Sequence, residues 1–192
     1  DMNAALMDTI GAEPEVCPWL HVPAQSGSDR VLKRMKRYYR RDDYLAMVDD
    51  ARARIPDVTF SGDFIVGFPG ETEADFAATL DLVRRVRYDT LFCFKYSPRP
   101  GTPVARLEDD VDTGTKKRRL AELMALQDEV WEAIATAERG KVVEAVVEEP
   151  ARRPEGTWRL RTANNRKVVV PLAATVPGQV ALVHRQALPQ RD

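Results

Sequence analysis

Three short runs rich in β-branched and aromatic residues recur roughly 30 residues apart, at residues 16–24 (VCPWLHVPA), 58–66 (VTFSGDFIV) and 90–96 (TLFCFKY). This spacing constrains the fold more than any other feature. An antiparallel neighbour needs only a tight turn, whereas a parallel one needs a crossover of a dozen or more residues, usually a helix. The intervening chain has helical period. Residues 28–38 place Val31, Leu32 and Met35, with Tyr39 beyond, at three- and four-residue steps. Residues 42–54 turn Tyr44, Leu45, Val48 and Ala51 inward, and Pro56 stops them. Residues 72–86 open on a Thr72/Asp75 capping box and present Phe76, Leu80 and Val83. Residues 1–10 read as the end of a helix, and 115–138 as a long helix with Leu120, Leu123, Leu126, Val130 and Ile134 on one side. The expectation is an α/β unit with a parallel sheet. Three strands do not close a barrel, so earlier βα units are expected upstream.

After Gly140 the pattern changes. Residues 141–149, 157–163, 166–172 and 179–187 are short β-rich runs, punctuated by 150–156, Asn164-Asn165 and Pro177-Gly178. Four or five strands in so short a stretch predict a small antiparallel barrel of the OB-like kind. The expected division is therefore 1–139 and 140–192. Charge follows it: residues 1–139 hold 20 Lys+Arg against 25 Asp+Glu, net -5, and residues 140–192 hold 9 against 5, net +4. The second module thus leans toward polyanions.

Hydrophobic residues are 44% and charged residues 31%, which excludes a disordered chain. No apolar run approaches the ~18 residues of a membrane span, and the first ten residues lack the basic start of a secretory signal. Only two cysteines occur, Cys17 and Cys93. They predict a reducing, cytoplasmic setting, no disulfide framework and no Cys-x-x-Cys metal site. Both are expected in the core.

In parallel α/β folds, ligands sit at the carboxyl ends of strands. Three polar features fall there: Gln25-Ser26, Asp63 with the GFPGE turn, and Ser97-Pro98-Arg99. Asp63, inside an apolar strand, reads either as an acceptor for a small ligand's hydroxyls or amine, or as a partly exposed edge residue. The GFPGE turn (Gly67 to Glu71) runs into a capped helix and suits an anion, although a plain glycine-shaped turn explains it equally. No Walker signature follows. Arg30, Lys33, Arg34, Lys36, Arg37, Arg40 and Arg41 form a dense basic run, to be met by a polyanion or by Asp42, Asp43, Asp49 and Asp50. Lys116 to Arg119 open the long helix at its unfavourable end for positive charge and read as a solvated run or as a phosphate contact. In the second module Arg159, Arg161, Arg166 and Lys167, beside Trp158 and Asn164-Asn165, suit RNA contact. His21 and His184 are isolated and read as structural.

Three stretches together, HVPAQSGSDRVLKRMKRYYRRDDYL, GDFIVGFPGETEADFAATLDLV and FKYSPRPGTPVARL, resemble the radical S-adenosylmethionine (SAM) methylthiotransferases. A long helix and a small basic β module then follow, as in that family, whose RNA-binding TRAM domain is C-terminal. The QSGS and YSPRPGTPVA stretches are most similar to the branch that converts N6-isopentenyladenosine at position 37 of tRNA to its 2-methylthio form. The branch acting on threonylcarbamoyladenosine often has cysteine where this chain has Ser28. The branch acting on a ribosomal-protein aspartate usually has histidine where this chain has Ser26.

The resemblance implies the C-terminal part of a radical SAM partial (β/α) barrel over 1–139, and an OB-like TRAM barrel over 140–192. It implies SAM as cofactor and two [4Fe–4S] clusters in the parent enzyme. Their cysteine sets are absent here, since a cluster needs about three or four thiolates. The chain is thus expected to be an inactive fragment on its own, completed by the N-terminal part of the same protein and an electron donor. In oxygen-independent coproporphyrinogen oxidase, outside that family, a glutamine, an arginine and an aspartate hold the cofactor. Gln25, Arg37 and Asp63 fall at similar spacing. With Ser26, Gly67 and Glu71 lining the same mouth, these are the cofactor residues that the resemblance implies. Arg99, Arg159, Arg161, Asn165, Arg166 and Lys167 would face the tRNA anticodon stem-loop. A different class of function also fits the chain as it stands: a non-catalytic RNA-binding module.

Overall fold

β-branched and aromatic runs bounded by helices produce three parallel strands, β1 (Trp19–His21), β2 (Thr59–Val66) and β3 (Thr90–Lys95), in the order β1-β2-β3. The computed structural model describes residues 2–98, 101, 104, 107–171 and 177–184. Register is set by Leu20 opposite Phe60 and by Phe64 opposite Cys93. Because side chains alternate along a strand, Phe60, Phe64 and Val66 share one face. It is buried in a core with Leu20, Val48, Phe76, Val83, Tyr88 and Leu123. The other face carries Ser61, Asp63 and Ile65, flanked by Phe92 and Phe94, which are 48% and 53% exposed.

The covering helices are α1 (Ala4–Ala12), α2 (Asp29–Arg34), α3 (Arg41–Arg54), α4 (Glu73–Val86) and α5 (Thr113–Ala137). The expected capping box forms: Thr72 accepts from the Asp75 N–H, and the Asp75 carboxylate accepts from the Thr72 N–H. Helix α2 is shorter than its periodicity suggests. It stops in a Schellman motif in which Lys36 adopts φ 61, its N–H donates to Lys33 O, and the Arg37 N–H reaches Leu32 O at 2.9 Å. Met35 and Tyr39 therefore lie outside it, and Tyr39 instead donates its hydroxyl to Pro23 O and Ala24 O.

The second half forms an antiparallel sheet, β6-β5-β4-β7, from β4 (Val142–Pro150), β5 (Thr157–Thr162), β6 (Lys167–Pro171) and β7 (Val180–His184). It has its own small core of Ala145, Val147, Leu160, Val168 and Val183, with Trp158 packed on its edge. Among the described residues this is an open four-stranded sheet rather than a closed barrel. Its β5–β6 turn meets the amino end of the parallel sheet. Asn164 O accepts from the Thr59 hydroxyl at 3.0 Å, and Arg166 pairs with Asp89 and Glu138. No described helix is long and apolar enough to cross a membrane.

Candidate functional site

The carboxyl end of the parallel sheet is built around Gln25. Strand β1 ends at His21, but the chain keeps to β2. The Gln25 N–H donates to Asp63 O at 2.8 Å, and the Ile65 N–H donates to Gln25 O at 3.0 Å. Gln25 pays for this with φ 66, a left-handed conformation costing a non-glycine residue roughly 1–2 kcal/mol. The residue is buried, and its amide makes no hydrogen bond to any described residue.

Asp63 lies on the middle strand, not at an edge, with its side chain 29% exposed. His21 Nε2 stands 3.6 Å from its carboxylate, while His21 Nδ1 meets Ser61 Oγ at 2.9 Å. Trp19 stacks on the His21 ring and Phe92 meets it edge-on. Sequence reasoning set His21 aside as isolated. The signal that would have found it is register: it is one strand over from Ser61 and shares the parity of Asp63. On the opposite face Cys93 is packed against the core, and burial, helped by the Asp63 charge, pushes its thiol up to about 11. Cys17, expected in the core, is exposed.

The other mouth residues are turned inward. The Ser26 hydroxyl faces Thr79 Oγ1 at 3.4 Å and accepts from the Ser28 N–H. Gly27 donates to the same Thr79 hydroxyl, and a Cβ there would lie 2.3 Å from Ala78 O, so only glycine lets this turn seat on α4. The Ser28 hydroxyl donates to Asp75 at 2.5 Å, and Arg30 pairs with the same carboxylate. Burial opposes the charge on Asp75, but Arg30, Ser28 and Thr72 outweigh it and hold its carboxyl well below the usual range.

The GFPGE turn, read as an anion cradle, is occupied by the protein's own carboxylates. Glu71 accepts from the Gly67 N–H at 2.6 Å, and Asp110 accepts from the Gly70 N–H at 2.5 Å. Gly67 has φ +69, and a Cβ on it would strike the Lys116 side chain. Lys116 and Arg119 are not a solvated run. Lys116 pairs with Asp109, and buried Arg119 pairs with Glu71 at 2.8 Å and Glu73 at 2.6 Å. Burial pushes the Glu71 carboxyl up, against the Gly67 N–H and Arg119, which favour its charge.

The structure thus brings Gln25 and Asp63 together and makes Ser26, Gly67 and Glu71 supports of the turns around them. Arg37 follows α2 with its side chain exposed. Arg99 lies outside the described residues. In the second sheet, Arg159 pairs with Glu148 and Glu149, Arg161 with Glu148 and with Asn165 at 2.7 Å, and Arg166 with Asp89 and Glu138. Arg159 and Arg161 alternate along β5, as expected, and Arg166 lies in the turn before β6. What the sequence concealed is that β4 sets glutamates across from β5. Lys167 stands opposite Arg161 in the ladder.

The family model for the radical SAM superfamily matches residues 4–83, the segment that contains Gln25, Arg37 and Asp63. Among solved structures, the radical SAM enzyme coproporphyrinogen III oxidase from Escherichia coli superposes with a TM-score of 0.56 at 23% identity. The match covers 67% of this chain and 30% of that one, and it supports the fold. Three curated relatives carry the name tRNA-2-methylthio-N(6)-dimethylallyladenosine synthase. That of Parafrankia sp. (strain EAN1pec) is 47% identical over 92% of this chain and 36% of its own length. That of Frankia alni is 50% identical over 83% and 32%, and that of Maricaulis maris 43% identical over 97% and 41%. The chain spans about a third to two-fifths of the length of these relatives.

Proposed function

We propose that this chain serves in a tRNA methylthiotransferase that adds a methylthio group to C2 of N6-isopentenyladenosine at position 37. The observation that carries this is the identity of 42–50% with relatives of that name across most of the chain. In this reading residues 1–139 are the C-terminal part of the radical SAM barrel, and residues 140–192 are the TRAM module beside it. The partners are the anticodon stem-loop of tRNA, an electron donor and the remainder of an enzyme of the relatives' length, acting in the cytoplasm.

The donor set supports one cofactor and not the other. A buried glutamine amide without a described partner and a partly exposed carboxylate on the adjacent strand suit the methionine end and the ribose hydroxyls of SAM. Gln25 offers both a donor and an acceptor at a fixed backbone position. Asp63 offers acceptors only, oriented by His21 and Ser61, and Arg37 supplies a positive charge for a carboxylate. Bound to a reduced [4Fe–4S] cluster, SAM supplies hydrogen-atom abstraction. No cluster is assigned to these residues, because two cysteines, one exposed and one packed against the core, fall short of the three or four thiolates required.

Mass spectrometry of tRNA nucleosides from a strain lacking the gene tests the reading. N6-isopentenyladenosine should accumulate and its 2-methylthio form should vanish. Unchanged methylthio content, above all with an unmodified ribosomal protein, would sink it. The purified 192-residue chain should show no iron–sulfur absorbance after anaerobic reconstitution.

A further inference from the structure

Seven cations lie between Arg30 and Arg41, and the structure divides them. Arg30 pairs with Asp75, Arg40 with Asp29 and Arg41 with Asp81. None of the expected acids, Asp42, Asp43, Asp49 or Asp50, makes an ion pair with them among the described residues. Lys33, Arg34 and Lys36 have no carboxylate within 4.0 Å among those residues. Arg34 donates from Nε to Pro69 O at 3.0 Å, while nearby Asp110 is taken by the Gly70 N–H. These three cations line a groove of about 340 Å³ with Val104 and Leu107. Lys36 holds the left-handed C′ position of the Schellman motif, where glycine is least strained. The strain is kept, and it places a third positive charge at the groove.

We propose that Lys33, Arg34 and Lys36 bind the phosphodiester backbone of the substrate tRNA in the groove that they line with Val104 and Leu107. This rests on the tRNA reading above and says which surface meets the RNA. The groove adjoins the Pro69-Gly70 turn, and so the carboxyl end of the sheet where Gln25 and Asp63 meet. The arginines of the second sheet are neutralised by Glu148, Glu149, Asp89 and Glu138, and its β5–β6 turn is docked at the opposite end. A phosphate reaching Arg161 must first displace a carboxylate; one reaching Lys33 or Lys36 displaces only counterions. An acidic peptide would meet the same charges, but the spread of three cations around an open groove fits a sugar–phosphate backbone better.

The test is the affinity of the purified chain for an unmodified tRNA transcript as a function of salt. Lys33→Ala with Lys36→Ala should weaken binding about tenfold or more at physiological salt. The slope of log K against log salt should become shallower by about 1.5, because two phosphate contacts are lost. Arg159→Ala should change affinity less than twofold. Lys36→Gly separates binding from folding: it should raise the unfolding midpoint while weakening tRNA. Unchanged affinity and slope in the double lysine variant would overturn the proposal. So would loss of polyglutamate binding with tRNA binding intact, which would assign the groove to an acidic protein. Neither result bears on the nucleoside analysis, so the groove can fail while the methylthiotransferase reading stands, and the reverse.

Discussion

Arginine and lysine are arranged differently at the two ends of this molecule. In the antiparallel sheet, whose sequence has the positive balance, Arg159, Arg161 and Arg166 are each answered by a carboxylate. At the carboxyl end of the parallel sheet, in the half whose balance is negative, Lys33, Arg34 and Lys36 are not answered among the described residues. Net charge by segment therefore does not report which cations lack a carboxylate partner. Fields of exposed charges fade over about 8 Å at physiological salt. What a polyanion meets is the local surplus, and pairing across strands or helices decides that surplus.

The largest effect should come from the buried clamp on the GFPGE turn. Arg119→Met should cost about 3–5 kcal/mol in urea denaturation, because it strands the Glu71 carboxylate without a counterion. Replacing both partners by methionine should cost clearly less; an equal cost would mean that packing, not charge, holds the turn. The acid limb of stability should report Asp75. Its carboxyl is held below its ordinary value of 3.8, so its contribution is present above about pH 4 and is lost as pH falls below that. Asp75→Asn should flatten this limb in a pH series of melting curves. Next, Arg166→Ala removes the partly buried contacts to Asp89 and Glu138 and should cost about 2 kcal/mol. A cycle with Asp89→Ala should show coupling if that turn joins the sheets. Smallest, Arg159→Ala breaks half-exposed pairs and should cost at most about 1 kcal/mol. A large loss there would undo the contrast between the two ends.

Much of the framework was legible because period and punctuation are local. The strand spacing foretold the parallel sheet, Thr72 with Asp75 foretold the start of α4, and the change after Gly140 foretold a second, antiparallel sheet. The end of α2 was not legible, because Met35 and Tyr39 continue the apolar period past the point where the backbone turns left-handed at Lys36. The described residues show the four strands in the order β6-β5-β4-β7; closure into the expected barrel depends on how edges meet, which strand count does not fix. Cys17 was placed in the core from its apolar neighbours, yet it lies on the surface ahead of β1.

The site divides in the same way. Sequence by itself determined which residue types stand at the ends of strands: Gln25, Asp63 and the glycines at 27 and 67 are set by position along the chain. Tertiary structure alone decided which of them remain available. Ser26 is turned to Thr79, Glu71 to Gly67 and Arg119, and the sheet arginines to glutamates, while the buried Gln25 amide, Lys33 and Lys36 have no side-chain partner among the described residues. The physical reason is that a polar group's availability depends on its partners. Several of those partners come from more than 40 residues away, as Asp75 does for Ser28 and Glu71 for Arg119, and no local pattern records them.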